Sequence, residues 1–185
     1  MASVTLRKIT LLGDAAVGKT SLRNRFMGKS FSSRYLMTMG ADISSKVVEI
    51  DGTSVKYQIW DLAGQARFSA VRSMYYQGAI GGVLVFDVTR KETYNEASAW
   101  VQELWNNSGK GIVPLILLGN KIDLRGSSPE GITSQDGQAL SIALTQACSE
   151  QGIEIPYLET SAKTGENVEQ AFELLGKSIM KFTGC

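Results

Sequence analysis

The stretch Gly13-Asp14-Ala15-Ala16-Val17-Gly18-Lys19-Thr20 constrains the chain more than any other, because it follows the apolar run Val4 to Leu12 and opens a helical pattern at Lys19. In that setting G-x-x-x-x-G-K-[ST] is a phosphate cradle. The glycines let the backbone fold into a nest of inward-pointing N–H groups, and the helix start adds the positive end of its dipole. Lys19 is placed to reach the outer phosphates of a nucleoside triphosphate and the Thr20 hydroxyl to ligate magnesium, with Gly13, Ala15, Ala16, Val17, Gly18 and Ser21 completing the cradle. The loop by itself does not select a base.

Composition removes several chemistries. The 185 residues contain no histidine, which excludes a Ser-His-Asp triad, a Cys-His pair and a His-ligated zinc site. Cys148 and Cys185 are too few for a disulfide framework, which leads us to expect a reducing, cytoplasmic setting. With Lys+Arg 19 against Asp+Glu 18, nothing in the overall balance suggests a nucleic-acid surface, so none is expected as a partner. No window approaches the ~20 apolar residues of a membrane span. Ala2 is not the glycine that myristoylation requires and Thr183-Gly184-Cys185 is not a prenylation box, which leaves Cys185 as a candidate for a lipid and for peripheral membrane association.

Strand-length apolar runs at Val4 to Leu12, Ser45 to Ile50, Val55 to Trp60, Gly82 to Val88, Val113 to Leu118 and Ile155 to Leu158 alternate with helical patterns. The helices are expected at Lys19 to Met27, Phe68 to Tyr76, Thr93 to Asn107, Ser134 to Ser149 and Asn167 to Phe182. Asp51-Gly52 predicts a hairpin that makes the second strand an antiparallel edge. Unbroken runs such as Val83-Leu84-Val85-Phe86 read as strands buried on both faces. The expected fold is α/β: one domain over residues 1–185, with a six-stranded, mostly parallel sheet, one antiparallel edge strand and five flanking helices. Thr133-Ser134-Gln135-Asp136 has the form of a capping box at the fourth helix.

Asn120-Lys121-Ile122-Asp123 follows an apolar strand directly, at the end where open α/β sheets bind ligands. The Asp123 carboxylate can accept two hydrogen bonds from the N1–H and 2-amino group of guanine; adenine offers neither donor on that edge. After the last strand, Ser161-Ala162-Lys163 forms a second loop at the same edge, able to present backbone N–H groups to the guanine oxygen. Trp60-Asp61-Leu62-Ala63-Gly64-Gln65 supplies the remaining parts: Asp61 for magnesium through water, the Gly64 N–H for the γ-phosphate, and Gln65 to orient an attacking water.

At this point the chain resembles the Ras superfamily of small GTPases over essentially its whole length. It is most similar to the Rab branch, through Lys56-Tyr57-Gln58-Ile59-Trp60-Asp61, Gln65-Ala66-Arg67-Phe68, Tyr75-Tyr76-Gln77-Gly78-Ala79 and Leu84-Val85-Phe86-Asp87-Val88-Thr89. The resemblance implies that Thr38 ligates magnesium when the γ-phosphate is present, Tyr35 closes over the phosphates and Phe31 stacks beside guanine. It implies GTP or GDP as ligand with magnesium, slow hydrolysis of GTP catalysed through Gln65, and two loops that relax when the γ-phosphate leaves. Partners implied are effectors that read those loops, an exchange factor and a GTPase-activating protein, with the chain itself a monomer.

The sequence departs from the Rab pattern at Ala66, where Glu is usual, and at Leu62 and Gln77, where Thr and Arg are usual. Ala15 stands where Ras has glycine, a methyl group in the path of an incoming arginine finger. With no internal finger between Gly28 and Thr38, intrinsic hydrolysis is expected at about 10⁻⁴ to 10⁻³ per second. A small-molecule kinase would need an acceptor pocket and an arginine-bearing lid, and neither is found; a binding module without hydrolysis is at odds with Gln65.

Overall fold

The computed structural model of the chain describes residues 5–33, 37–65, 68–128 and 130–184. Tyr35, Ala66 and Cys185, each singled out above, lie outside the described residues. Six strands form one sheet in the order β2-β3-β1-β4-β5-β6. They are β1 (Thr5–Leu12), β2 (Ala41–Ile50), β3 (Thr53–Leu62), β4 (Gly81–Asp87), β5 (Leu115–Asn120) and β6 (Tyr157–Thr160). Only β2 runs antiparallel to its neighbour, and Ile50 pairs with Thr53 around Asp51 and Gly52. Both turn residues have positive φ, 48° and 78°, the geometry whose twist suits a two-residue hairpin.

The helices are α1 (Lys19–Phe26), α2 (Ser69–Tyr76), α3 (Lys91–Asn95), α4 (Ala97–Asn107), α5 (Ser134–Ala147) and α6 (Val168–Thr183). α3 and α4 run on through Glu96 as one distorted rod, where Ala99 N bonds the Glu96 carbonyl three residues back, so five helical rods flank the sheet as expected. The rod starts at Lys91 rather than Thr93: the Thr93 N–H closes the first turn on the Arg90 carbonyl (3.1 Å), and the Thr93 hydroxyl donates to the same carbonyl (2.7 Å). Leu12, Tyr76, Trp100, Leu104, Leu117 and Leu144 pack on one face of the sheet under α2, α4 and α5. Ile9, Leu22, Phe26, Ile59, Val85 and Phe172 pack on the other under α1 and α6.

Two strands begin two residues later than the apolar runs suggest. Pro114 and Pro156 explain both shifts: proline has no N–H for the ladder, so pairing starts at Leu115 and Tyr157, while Ile155 donates its N–H to the Thr145 hydroxyl (3.0 Å). β2 begins four residues before its apolar run, since residues 41–44 are held by pairing to β3 rather than by burial. β5 and β6 run on to Asn120 and Thr160, which pair with each other while Asp87 pairs with Asn120. A row of polar residues thus stands at the carboxyl edge of the sheet.

Candidate functional site

A cleft of about 580 Å³ opens at that carboxyl edge. Its wall includes Ala15, Ala16, Gly18, Lys19, Thr20 and Ser21 from the phosphate loop and α1, Phe31 and Thr38 from the loop before β2, Gly64 and Gln65 after β3, and Asn120, Lys121, Asp123, Ala162 and Lys163 from the loops after β5 and β6. Gly13, Val17, Asp61 and Ser161 lie beneath this wall; Val17, Asp61 and Ser161 are fully buried. Tyr35 is outside the described residues.

The phosphate loop takes its shape from local backbone constraints. Gly18 has φ +105°, and a Cβ there would come within 2.3 Å of the Asn120 amide, so only glycine fits. Gly64 packs its backbone against the loop from the other side, where a Cβ would meet the Asp14 carbonyl carbon at 2.4 Å. Lys19 crosses the loop, donating to the carbonyls of Gly13 (2.6 Å) and Asp14 (2.7 Å). Burial pushes its ammonium down to about 8, against the pull of Asp61 and Asp14. A buried lysine in a cradle of N–H groups lacks a full counter-charge, and a polyphosphate supplies one.

At one end of the cleft Thr20 Oγ1 donates to Asp61 Oδ2 (2.5 Å) and lies 3.0 Å from Thr38 Oγ1. Asp61 Oδ1 is buried with no hydrogen-bond partner among the described residues. Burial raises the Asp61 carboxyl above its ordinary value, although the Thr20 bond and the nearby Arg23 and Lys19 charges pull the other way. An orphaned carboxylate oxygen beside two hydroxyls is a set of hard oxygen donors, suited to a magnesium-sized cation that completes its shell from water and phosphate. Among the described residues there is no group of three or more His, Cys, Asp or Glu that could hold a metal ion.

At the other end, Asp123 stands on the single turn Ile122–Leu124 and is oriented by its neighbours. Its Oδ1 accepts from the Ser161 hydroxyl (2.6 Å), and Lys163 Nζ lies 3.9 Å from Oδ2. Asn120 joins the two ends: its Nδ2 donates to Val17 O (2.8 Å) and its Oδ1 accepts from Thr160 Oγ1 and Ala162 N (3.2 Å each). The Ala162 N–H, expected to face a base, therefore also serves to hold Asn120, and the Ser161 N–H goes to Glu166 O (3.2 Å). Phe31 is at the rim, 40% exposed, where an aromatic face is free to stack.

Several braces were not read from the sequence. Arg25 on α1 donates to the carbonyls of Ala162 and Lys163. The buried Asp87 carboxylate bonds Lys121 Nζ (2.7 Å), and Arg90 reaches from the same turn to Ala15 O (3.0 Å). Arg23 sits between Asp42 (2.6 Å) and Asp61 (3.7 Å). Their partners are mostly backbone carbonyls or residues remote in the chain, which leave no local pattern.

Comparison with known proteins gives the same picture. Residues 8–181 match the model of the Ras family. The chain is 39% identical over 180 residues to the Ras-related protein Rab7 of Pisum sativum, covering 96% of this chain and 84% of that protein. It is 41% identical over 174 residues to the Ras-related protein RABA5b of Arabidopsis thaliana, covering 94% and 75%. It is 39% identical over 179 residues to the GTP-binding protein YPTC5 of Chlamydomonas reinhardtii, covering 95% and 83%.

Proposed function

The chain belongs to the Ras family as a Rab-like small GTPase, and from that premise we propose how its residues divide the work of binding, hydrolysis and switching. As a member of that family it binds GTP and GDP, hydrolyses GTP and acts as a nucleotide-dependent switch. Residues 1–185 form one G domain. The observation that carries the assignment of roles is the pairing of two oriented carboxylates at opposite ends of one cleft: Asp123, held by Ser161, and Asp61, held by Thr20.

In this reading Asp123 accepts the N1–H and 2-amino hydrogens of guanine, Lys121 and Phe31 flank the ring, and Asn120 keeps the base loops at a fixed distance from the phosphate loop. The phosphate loop's N–H groups and Lys19 hold the α-, β- and γ-phosphates, with Ser21 at the helix start. Thr20, Thr38 and Asp61 would hold magnesium, which when bound neutralises charge building on the phosphate oxygens. Gln65 orients a water for in-line attack. The water oxygen forms a bond to the γ-phosphorus as the bond to the bridging oxygen breaks, giving GDP and inorganic phosphate.

Loss of the γ-phosphate removes the anchor of Thr38 and of the Gly64 N–H, so the two loops change shape and effectors distinguish the states. An exchange factor and a GTPase-activating protein act on the same loops. Among the described residues no helix is long and apolar enough to cross a membrane. Rab-type work in membrane traffic would then rest on peripheral attachment of a monomer. The magnesium assignment is tested by GDP release. Chelation with EDTA is expected to speed release by at least ~10-fold in the parent protein and to have little effect in Thr20→Ala. Equal sensitivity in both proteins would refute the role of Thr20.

A further inference from the structure

Arg72, on α2, is not used by the mechanism above and is not marked by any sequence motif, yet it is only 4% exposed. Its Nη1 donates to the carbonyls of Ala63 (3.3 Å) and Gln65 (2.9 Å), the two ends of the short segment that bears the hydrolytic glutamine. Its Nε and Nη2 fork onto the Glu103 carboxylate of α4 at 2.8 and 3.0 Å, a bidentate geometry that fixes the guanidinium plane. The plane lies over the Trp100 ring, 4.3 Å from its centroid, and the Trp100 indole N–H donates to Asp14 Oδ1 (2.7 Å) in the phosphate loop. One face of α4 therefore grips both loops between which the γ-phosphate would be attacked.

A buried ion pair adds little net stability compared with apolar residues of the same volume, so stability alone does not account for placing an arginine here. What apolar side chains could not supply is the pair of N–H bonds to the carbonyls of Ala63 and Gln65. Those bonds fix the backbone from which the Gln65 side chain projects. The Gln65 Oε1 is buried and has no hydrogen-bond partner among the described residues, so it gains one only when the side chain turns out to a water.

We infer that Arg72 is a positioning residue for hydrolysis: locked by Glu103 and Trp100, it sets the carbonyls of Ala63 and Gln65 so that the Gln65 side chain is aimed at the attacking water. The inference rests on the assignment of Gln65 as the water-orienting residue. It makes the half-buried Glu103 on α4 a place from which the hydrolysis rate is tuned without touching nucleotide. A misplacement of the order of 1 Å in such a group costs up to about a hundredfold in rate, and partial loss of the brace costs less.

The test compares parent, Gln65→Leu, Arg72→Gln, Glu103→Gln and the double variant Arg72→Gln/Gln65→Leu. All are loaded with GTP and magnesium and followed by single-turnover hydrolysis and by release of a fluorescent GDP analogue. Arg72→Gln is expected to slow hydrolysis about tenfold, to leave GDP release within about twofold, and to add no further loss in the Gln65→Leu background. Glu103→Gln, which retains the arginine, shifts hydrolysis about threefold in the same direction and carries the test if Arg72→Gln does not fold. Hydrolysis at the parent rate in both brace variants overturns the inference, as does a loss that persists undiminished on top of Gln65→Leu or that is matched by faster GDP release. Parent-like hydrolysis by Gln65→Leu itself overturns the assignment of Gln65, and the inference with it; slow Gln65→Leu with intact brace variants overturns the inference alone.

Discussion

Lys19 shows how a single residue couples the fold to its ligand. Its side chain is buried among carbonyls, and its ammonium is pushed down to about 8 because burial outweighs the attraction of Asp61 and Asp14. Between that value and the ordinary 10.5, the unfolded chain binds more protons than the folded one. The nucleotide-free protein therefore carries the full cost of the buried charge below pH 8 and sheds it as pH rises. Phosphates restore the charged form, so nucleotide binding above pH 8 takes up a proton. Calorimetry at pH 8.5 in two buffers of different ionisation enthalpy should give different apparent binding enthalpies, and affinity should fall by about tenfold from pH 7 to pH 9. Identical enthalpies in the two buffers would show that Lys19 remains charged without ligand. Asp123→Asn is expected to lower guanine affinity and to raise affinity for xanthine nucleotides, because an amide donates where a carboxylate only accepts. Competition binding with xanthosine diphosphate measures this directly.

At the scale of elements, local rules written in the sequence decide where helices and strands start and stop. Thr133 and Asp136 form the reciprocal cap of α5, with Asp136 N bonding Thr133 Oγ1 (3.2 Å) and Thr133 N bonding Asp136 Oδ2 (2.9 Å). Thr133→Ala should cost about 1 kcal/mol in chemical denaturation and leave GDP release unchanged, since α5 packs on β5 and β6 and lends no residue to the wall of the cleft. The hairpin at Asp51-Gly52, the capping box and the phosphate loop were all legible because each depends on residues within a few positions of one another. The two proline-delayed strands were legible too, had the missing N–H of Pro114 and Pro156 been weighed above the apolar run. The braces were not. Arg25 reaches Ala162 across 137 positions and Arg90 reaches Ala15 across 75, and a charged side chain that ends on a backbone carbonyl looks in sequence like any solvated arginine. Asp87 was visible only as part of a resemblance, and its bond to Lys121 required knowledge of which strands are neighbours.

For the molecule as a whole, the site depends on the sheet because its parts are the carboxyl ends of β1, β3, β4, β5 and β6, brought into one row by the topology. The nucleotide would bridge loops that otherwise meet through a few hydrogen bonds, so binding should stabilise the entire fold. At a hundredfold excess over the dissociation constant, GDP with magnesium is expected to add about 2.7 kcal/mol, a rise of roughly 5–10 °C in Tm for a chain of this size. A scan with ADP at the same concentration should show no rise. With no histidine in the chain, any step in binding between pH 5 and 7 should come from the second ionisation of the terminal phosphate, at about 6, or from the raised Asp61 carboxyl rather than from an imidazole.

The most direct measurement is equilibrium binding of GTP, GDP and ATP, each with magnesium, to the nucleotide-free protein at one pH and salt concentration. The account predicts that GTP and GDP bind more than about a thousandfold tighter than ATP, because adenine leaves the oriented Asp123 carboxylate unpaired. Binding of ATP within tenfold of GTP would contradict it.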